Sequence, residues 1–256
     1  KAGARSAEAI LKLLSGEKVD YSDVIDDGAV YSRFDQSVCT AEGKKKQPIM
    51  GVIFDLDDTL YSEKQYVRSG YKAVAKLLGD EALADRLWTY FENGKPAIDE
   101  LLNELGCVEK KAECLEVYRE QIPEITLYDG VSELIQKLKS KGIKVGIITD
   151  GRVSGQKRKL QALGLDKLID DIIITDELGG TQFRKPCDIA FRIMQRRWGL
   201  PFEQMVYVGD NAEKDFQAPK QLGIRSVWVQ NKEGLYQKNA TDIDVIQENG
   251  KIRSYL

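Results

Sequence analysis

The sequence predicts an α/β fold, a doubly wound parallel sheet with a helical segment inserted near its start. Three observations carry this expectation. Five short apolar runs occur at residues 50–54, 143–149, 172–175, 205–209 and 225–229, and the first ends abruptly in acidic residues, as a buried parallel strand does at its carboxyl edge. Stretches of helical spacing lie between the later runs, at 131–141, 154–163, 188–198 and 212–222. Residues 62–121 break this alternation.

Taken in order, residues 1–48 stand apart. ARSAEAILKLLSGE predicts one amphipathic helix stopped at Gly16, and VYSRFDQSV a short strand. Lys44, Lys45 and Lys46 before Pro48 predict a linker. So short a piece makes a poor core of its own and is expected to lean on a neighbour. The sheet core is expected over 49–61 and 122–256. The intervening 62–121 place Tyr66, Gly70, Val74 and Leu77 at helical spacing, and LADRLWTYF and PAIDELLNEL continue in that manner, which predicts a helical insertion between the first two strands. Pro123 and the Asp129–Gly130 turn mark the return to the sheet.

Composition removes several classes of function. Lys plus Arg is 38 and Asp plus Glu 41, a net charge of −3, which gives no electrostatic case for nucleic acid or an anionic membrane. The inserted segment, with nine basic and twelve acidic residues, is no nucleic-acid clamp either. No apolar run approaches the roughly 20 residues of a membrane span. Cys39, Cys107, Cys114 and Cys187 form no CxxC pair, so a reducing, cytoplasmic location is expected. Histidine is absent, which excludes Ser-His-Asp and Cys-His catalysis and His-ligated zinc. Lys1 in place of Met leads to the expectation of a fragment or processed product.

Ligands of α/β sheets bind outside the carboxyl ends of the strands. There the sequence places Asp55, Asp57 and Thr59 after the first run, Thr149, Asp150 and Gly151 after the second, Lys185 and Pro186 beyond the third, and Gly209, Asp210, Asn211 and Asp215 after the fourth. Asp55, Asp57 and Asp58, three acids in four positions, are costly unless a cation joins them. Oxygen-only ligands favour Mg²⁺. Carboxylates and a lysine around Mg²⁺ suit phosphoryl transfer, with one carboxylate as nucleophile and a second as acid and base.

DLDDT, ITDG, RKP and GDNAEKD, in this order, resemble the four motifs of the haloacid dehalogenase superfamily, over about residues 49–230. The resemblance implies a Rossmann-like core and a small helical cap. It implies that Asp55 is the nucleophile and a Mg²⁺ ligand, and Asp57 the general acid and base, binding Mg²⁺ through its backbone carbonyl. Thr149, Asp150, Gly151 and Lys185 would hold the phosphoryl oxygens, Lys185 also pairing with Asp55. Asp210 would ligate Mg²⁺. Thr59, Asn211 and Asp215 would support these groups, Asp215 by ordering Lys185 or a metal-bound water. Dehalogenases of the superfamily lack the aspartate at position 57, so its presence implies a phosphatase or a phosphomutase acting on a small phosphorylated metabolite. The N-terminal segment resembles the end of an ATP-grasp domain, which implies an upstream ATP-grasp partner and leaves a third reading, a binding module fused to that enzyme.

Asp58 is expected to cap the following turn, and the basic groups Lys157–Arg158–Lys159 and Arg192, Arg196 and Arg197 to be solvated helix faces. Trp88, Tyr90, Phe91, Cys107 and Cys114 are expected to pack within the cap. Tyr61, Arg68 and Lys95 are candidates to reach a substrate from the cap or its hinge.

Overall fold

The computed structural model describes residues 47–229 and 234–235; the N-terminal helix, strand and ATP-grasp resemblance, and Cys39, lie outside the described residues. The strands are β1 (Gly51–Phe54), β2 (Lys144–Thr149), β3 (Asp171–Ile174), β4 (Met205–Gly209) and β5 (Arg225–Trp228). They form one parallel sheet in the order β3-β2-β1-β4-β5. The chain starts in the middle and winds outward both ways, which makes the fold a Rossmann-like doubly wound α/β sheet and brings the carboxyl ends of β1, β2 and β4 side by side.

Pleating divides the core. Val52, Phe54, Val145, Ile147, Val206 and Val208 join one apolar cluster, with Ile135 and Leu138 of α5 (Val131–Ser140) and Leu160 of α6 (Val153–Ala162). Ile53, Ile148, Met205 and Tyr207 join the other, with Phe191 and Met194 of α8 (Ile189–Trp198) and Ala218 of α9 (Gln217–Leu222). The short α7 spans Leu165–Leu168. Two strand glycines have a packing reason. A Cβ on Gly51 would lie 2.6 Å from the Trp198 ring, and one on Gly146 would lie 2.8 Å from it. The indole therefore lies in a slot of bare backbone, held by its Nε1–H donating to Asp171 at 2.8 Å.

Between β1 and α5 stand α1 (Glu63–Leu78), α2 (Leu83–Glu92), α3 (Ala97–Leu105) and α4 (Lys111–Glu120). They enclose an apolar cluster of their own, including Val67, Tyr71, Val74, Leu87, Leu101 and Cys114. Trp88, Tyr90, Phe91 and Cys107 pack against it.

One predicted helix begins late. The stretch 212–222 turns helical only at Gln217, because 211–215 fold around a side chain: Asn211 N–H donates to Asp215 at 2.9 Å and Glu213 N–H to the Asn211 side chain at 3.1 Å. Pro219 then sits in the first turn of α9, where a missing N–H costs nothing.

Candidate active site

The loop after β1 turns sharply. Asp58 takes the left-handed conformation (φ 52°), and its carboxylate accepts the first N–H of α1, Glu63, at 2.9 Å and that of Leu235 at 2.8 Å. Asp58 thus anchors the start of α1, and its neighbours Asp55 and Asp57 face two different groups of partners.

Asp55 meets the ends of β3 and β4. Lys185 Nζ lies 2.5 Å from Asp55, 2.7 Å from Asp215 and 2.8 Å from the Tyr207 hydroxyl, and all four side chains are buried. The Tyr207 hydroxyl donates to Asp215 at 3.1 Å. The Lys185 backbone N–H donates to Asp150 at 3.1 Å, and the Thr175 hydroxyl donates to the same carboxylate at 2.9 Å, so Asp150 fixes the loop that delivers Lys185. Asp210 accepts from the Thr59 hydroxyl at 3.3 Å, and its carbonyl accepts from the Trp228 indole at 2.7 Å. Gly209 lets Asp215 approach, since a Cβ there would stand 2.5 Å from Asp215 Oδ2.

Carboxylate oxygens of Asp55, Asp210 and Asp215 lie within 4.8 Å of one another. Burial pushes the Asp55 carboxyl up to about 6, with the Lys185 ammonium pulling it down and the Asp215 charge pushing it further up. Burial, then the charges of Asp55 and Asp215, hold Asp210 well above the usual carboxylate range. Burial alone would lower Lys185, but the Asp215 and Asp55 charges raise it well above an ordinary lysine. Such a cluster is short of positive charge and suits a divalent cation with oxygen ligands.

Asp57 faces α6. Its Oδ1 accepts from Lys159 at 2.7 Å and from the Tyr61 hydroxyl, and its Oδ2 accepts from Gln156 at 3.0 Å. Gln156 also donates to the Thr149 hydroxyl at 2.5 Å. Burial opposes the charge on Asp57, but Lys159 and the three hydrogen bonds outweigh it and lower the carboxyl below its ordinary value. Lys159 is only 6% exposed, which corrects its reading as a solvated residue; its neighbours Lys157 and Arg158 do sit at the surface, paired with Glu177 and Glu120. Successive helical residues turn by about 100°, so a run of three charges straddles surface and site.

A cavity of about 250 Å³ opens between α1, α4 and the start of α6, bordered by Asp57, Gly151, Tyr66, Tyr118, Arg119 and Arg152. Glu63 also lines it, its carboxyl pushed up to about 8 by burial and the Asp57 charge. Gly151, at φ 135°, brings bare backbone to this wall beside Gln156.

The structure therefore brings Asp55, Thr59, Lys185, Asp210, Asn211 and Asp215 into one cluster, and Asp57, Asp150 and Gly151 to the adjoining cavity, with Thr149 held beside it by Gln156. Of the cap candidates, Tyr61 is fully buried against Asp57, whereas Arg68 stacks on Trp88 at 4.6 Å and Lys95 lies 5.7 Å from the Tyr90 ring, both within the helical insertion. Sequence reasoning missed Gln156, Tyr207 and Glu63. Tyr207 stands in the apolar run MVYVG, where a tyrosine reads as packing, so nothing in the sequence signals it.

A family model described as Haloacid dehalogenase-like hydrolase matches residues 52–229. A glyceraldehyde 3-phosphate phosphatase of Methanopyrus kandleri is 30% identical over 206 residues, 74% of this chain and 86% of the relative. Its counterpart in Methanocaldococcus jannaschii is 29% identical over 198 residues, 70% and 84% of the two chains. A phosphoserine phosphatase of Thermus thermophilus is 28% identical over 124 residues, 48% of this chain and 49% of the relative. A solved subfamily IA hydrolase of Geobacter sulfurreducens superposes with a TM-score of 0.56 at 20% identity, covering 72% of this chain and 88% of its own.

Proposed function

The chain belongs to the haloacid dehalogenase-like hydrolases, and from that premise we propose that it is a Mg²⁺-dependent phosphatase of a small phosphorylated metabolite, working through an aspartyl phosphate on Asp55. The observation that carries this reading is the separation of two aspartates, Asp55 buried and Asp57 half-buried. Asp55 is paired with Lys185 beside further carboxylates, and Asp57 stands apart on the wall of a cavity.

Asp55, Asp210 and Asp215 supply hard oxygen donors, and the raised Asp210 carboxyl marks a cluster that gains by sharing a cation. Asp55 and Asp210 would hold Mg²⁺, with the Asp57 carbonyl. The ion would supply charge neutralisation at the phosphoryl oxygens. Asp55 attacks phosphorus as the bond to the leaving oxygen breaks, and Asp57, whose lowered carboxyl the negative charge of a bound phosphoryl group pushes back up, gives that oxygen a proton. In the second step Asp57 takes a proton from water as the water oxygen bonds phosphorus and the aspartyl bond breaks, which restores Asp57. Lys185 and Thr149 hold the phosphoryl oxygens, assisted by the Asp150–Gly151 backbone. Asp215 and Tyr207 keep Lys185 in place.

The helices over 63–120 form the cap, and the cavity beneath them takes the leaving group. This cavity, about 250 Å³, has room for a small-metabolite leaving group beside Asp57. The phosphatase names of the relatives, which include a triose phosphate and phosphoserine, support the same size class. Phosphate release from a panel of small phosphomonoesters with Mg²⁺, beside an Asp55→Asn control, tests the reading. Release of one class, lost in the control, is expected. No release from any compound, or full activity in Asp55→Asn, would contradict it, and dependence on an added bisphosphate would favour a phosphomutase.

A further inference from the structure

Lys159 is a buried cation on α6, paired with Asp57 at 2.7 Å. Its ammonium also lies 4.3 Å from the Tyr66 ring of α1, a cation–π contact between core and cap. Gln156 and Lys159 are three residues apart on one helix face, so both reach the same carboxylate. They fill it unequally. A carboxylate oxygen has two lone-pair sites. Oδ1 accepts Lys159 and the Tyr61 hydroxyl, which saturates it, while Oδ2 accepts Gln156 alone.

We propose that Lys159 is a positioning residue for Asp57: together with Tyr61 it occupies Oδ1 and so assigns proton transfer to Oδ2, the oxygen with a site left open. This deepens the phosphatase reading and rests on it. In the first step the proton leaves Oδ2 for the leaving oxygen as the phosphorus–oxygen ester bond breaks. In the second it returns to Oδ2 from water as the new phosphorus–oxygen bond forms. Lys159 stays an ammonium throughout and exchanges no proton with the substrate. Because Tyr66 covers Lys159 from the cap, the same residue links cap position to the orientation of the acid.

The test is the leaving-group dependence of kcat/KM, which covers steps only up to departure of the leaving group. Wild type, Lys159→Met, Lys159→Arg and Asp57→Asn are compared on an alkyl phosphate that the wild type hydrolyses and on p-nitrophenyl phosphate, whose phenolate leaves without a proton. Methionine fills the space of the lysine stem without its charge. The expected result is a loss of about 100-fold on the alkyl ester and less than about 5-fold on the aryl ester for Lys159→Met, with most of the loss recovered in Lys159→Arg. Retained aryl hydrolysis shows the variant is folded. Equal losses on both esters, as a substrate-binding or purely structural lysine would give, or no loss on either, would overturn the proposal. If Asp57→Asn shows the leaving-group dependence and Lys159→Met does not, the positioning role alone fails. If Asp57→Asn lacks it too, the assignment of Asp57 as the acid falls.

Discussion

Gly209 shows how narrowly single residues set the site. Any side chain there meets Asp215, and Asp215 is one of two carboxylates holding Lys185. Gly209→Ala is therefore expected to lower kcat about 100-fold by displacing Lys185 while the far-UV circular dichroism is unchanged, since a misplacement of about 1 Å costs that much. Wild-type kinetics in that variant would show that Asp215 is not needed where it stands. Residues of this kind divide by how they were legible. Asp55 and Asp210 stand at strand ends, where polar residues interrupt apolar runs, and the sequence marks them; Lys185, in the loop after β3, is marked by its RKP triplet. Lys159 lies inside a run of three basic residues, and only the rotation of α6 separates the one that turns inward from the two that do not. Tyr207 was hidden by its strand, because a tyrosine in a buried β-run reads as packing.

At the scale of elements, close packing fixes how helices seat on the sheet. Gly51→Ala would drive a methyl into the Trp198 ring and is expected to cost about 1–3 kcal/mol of stability in urea denaturation, with activity retained in the folded fraction. A second element contact gives a pH signature. Asp170 accepts from Val145 N–H at 2.9 Å and pairs with Lys139 at 2.9 Å, joining α5, β2 and the approach to β3. Burial opposes its charge, but the hydrogen bonds from Lys139 and Val145 and the Lys139 charge lower its carboxyl below the ordinary value. A lowered carboxyl stabilises the fold above its unfolded-state value and loses that contribution as pH falls through the folded one. Asp170→Asn should thus cost about 1 kcal/mol at pH 7, allowing for partial solvent screening, and almost nothing in strong acid. An equal cost at both pH values would assign the effect to shape instead of charge. Strands and most helices were legible because period and punctuation agree. The start of α9 was not, since Asn211 and Asp215 close a side-chain turn that mimics helical spacing.

In the whole molecule, the order of the sheet was legible only as a class, because alternation implies a doubly wound sheet without saying which strands adjoin. The order β3-β2-β1-β4-β5 makes β1 central and gathers residues up to 160 positions apart, such as Asp55 and Asp215, at one edge. The helical insertion was legible as a break in alternation, but the cavity beside it was not, since that depends on how α1 and α4 meet α6. No helix among the described residues is long and apolar enough to cross a membrane. A molecule built around three clustered carboxylates should be stabilised by the cation they share. Mg²⁺ at about 100 times its dissociation constant is expected to add about 2.7 kcal/mol, seen as a rise in Tm, and Asp210→Asn should remove most of that rise. An equal rise in the variant would place the ion elsewhere. In the proposed phosphatase Asp55 carries the phosphoryl group, and acid-quenched Asp57→Asn after reaction with p-nitrophenyl phosphate and Mg²⁺ tests this most directly. The ester needs no acid to leave, but without Asp57 the second step stalls. Peptide mass spectrometry should then find one phosphoryl group on Asp55; a phosphoryl group on another residue, or phosphate release at the wild-type rate with no covalent adduct, would contradict it.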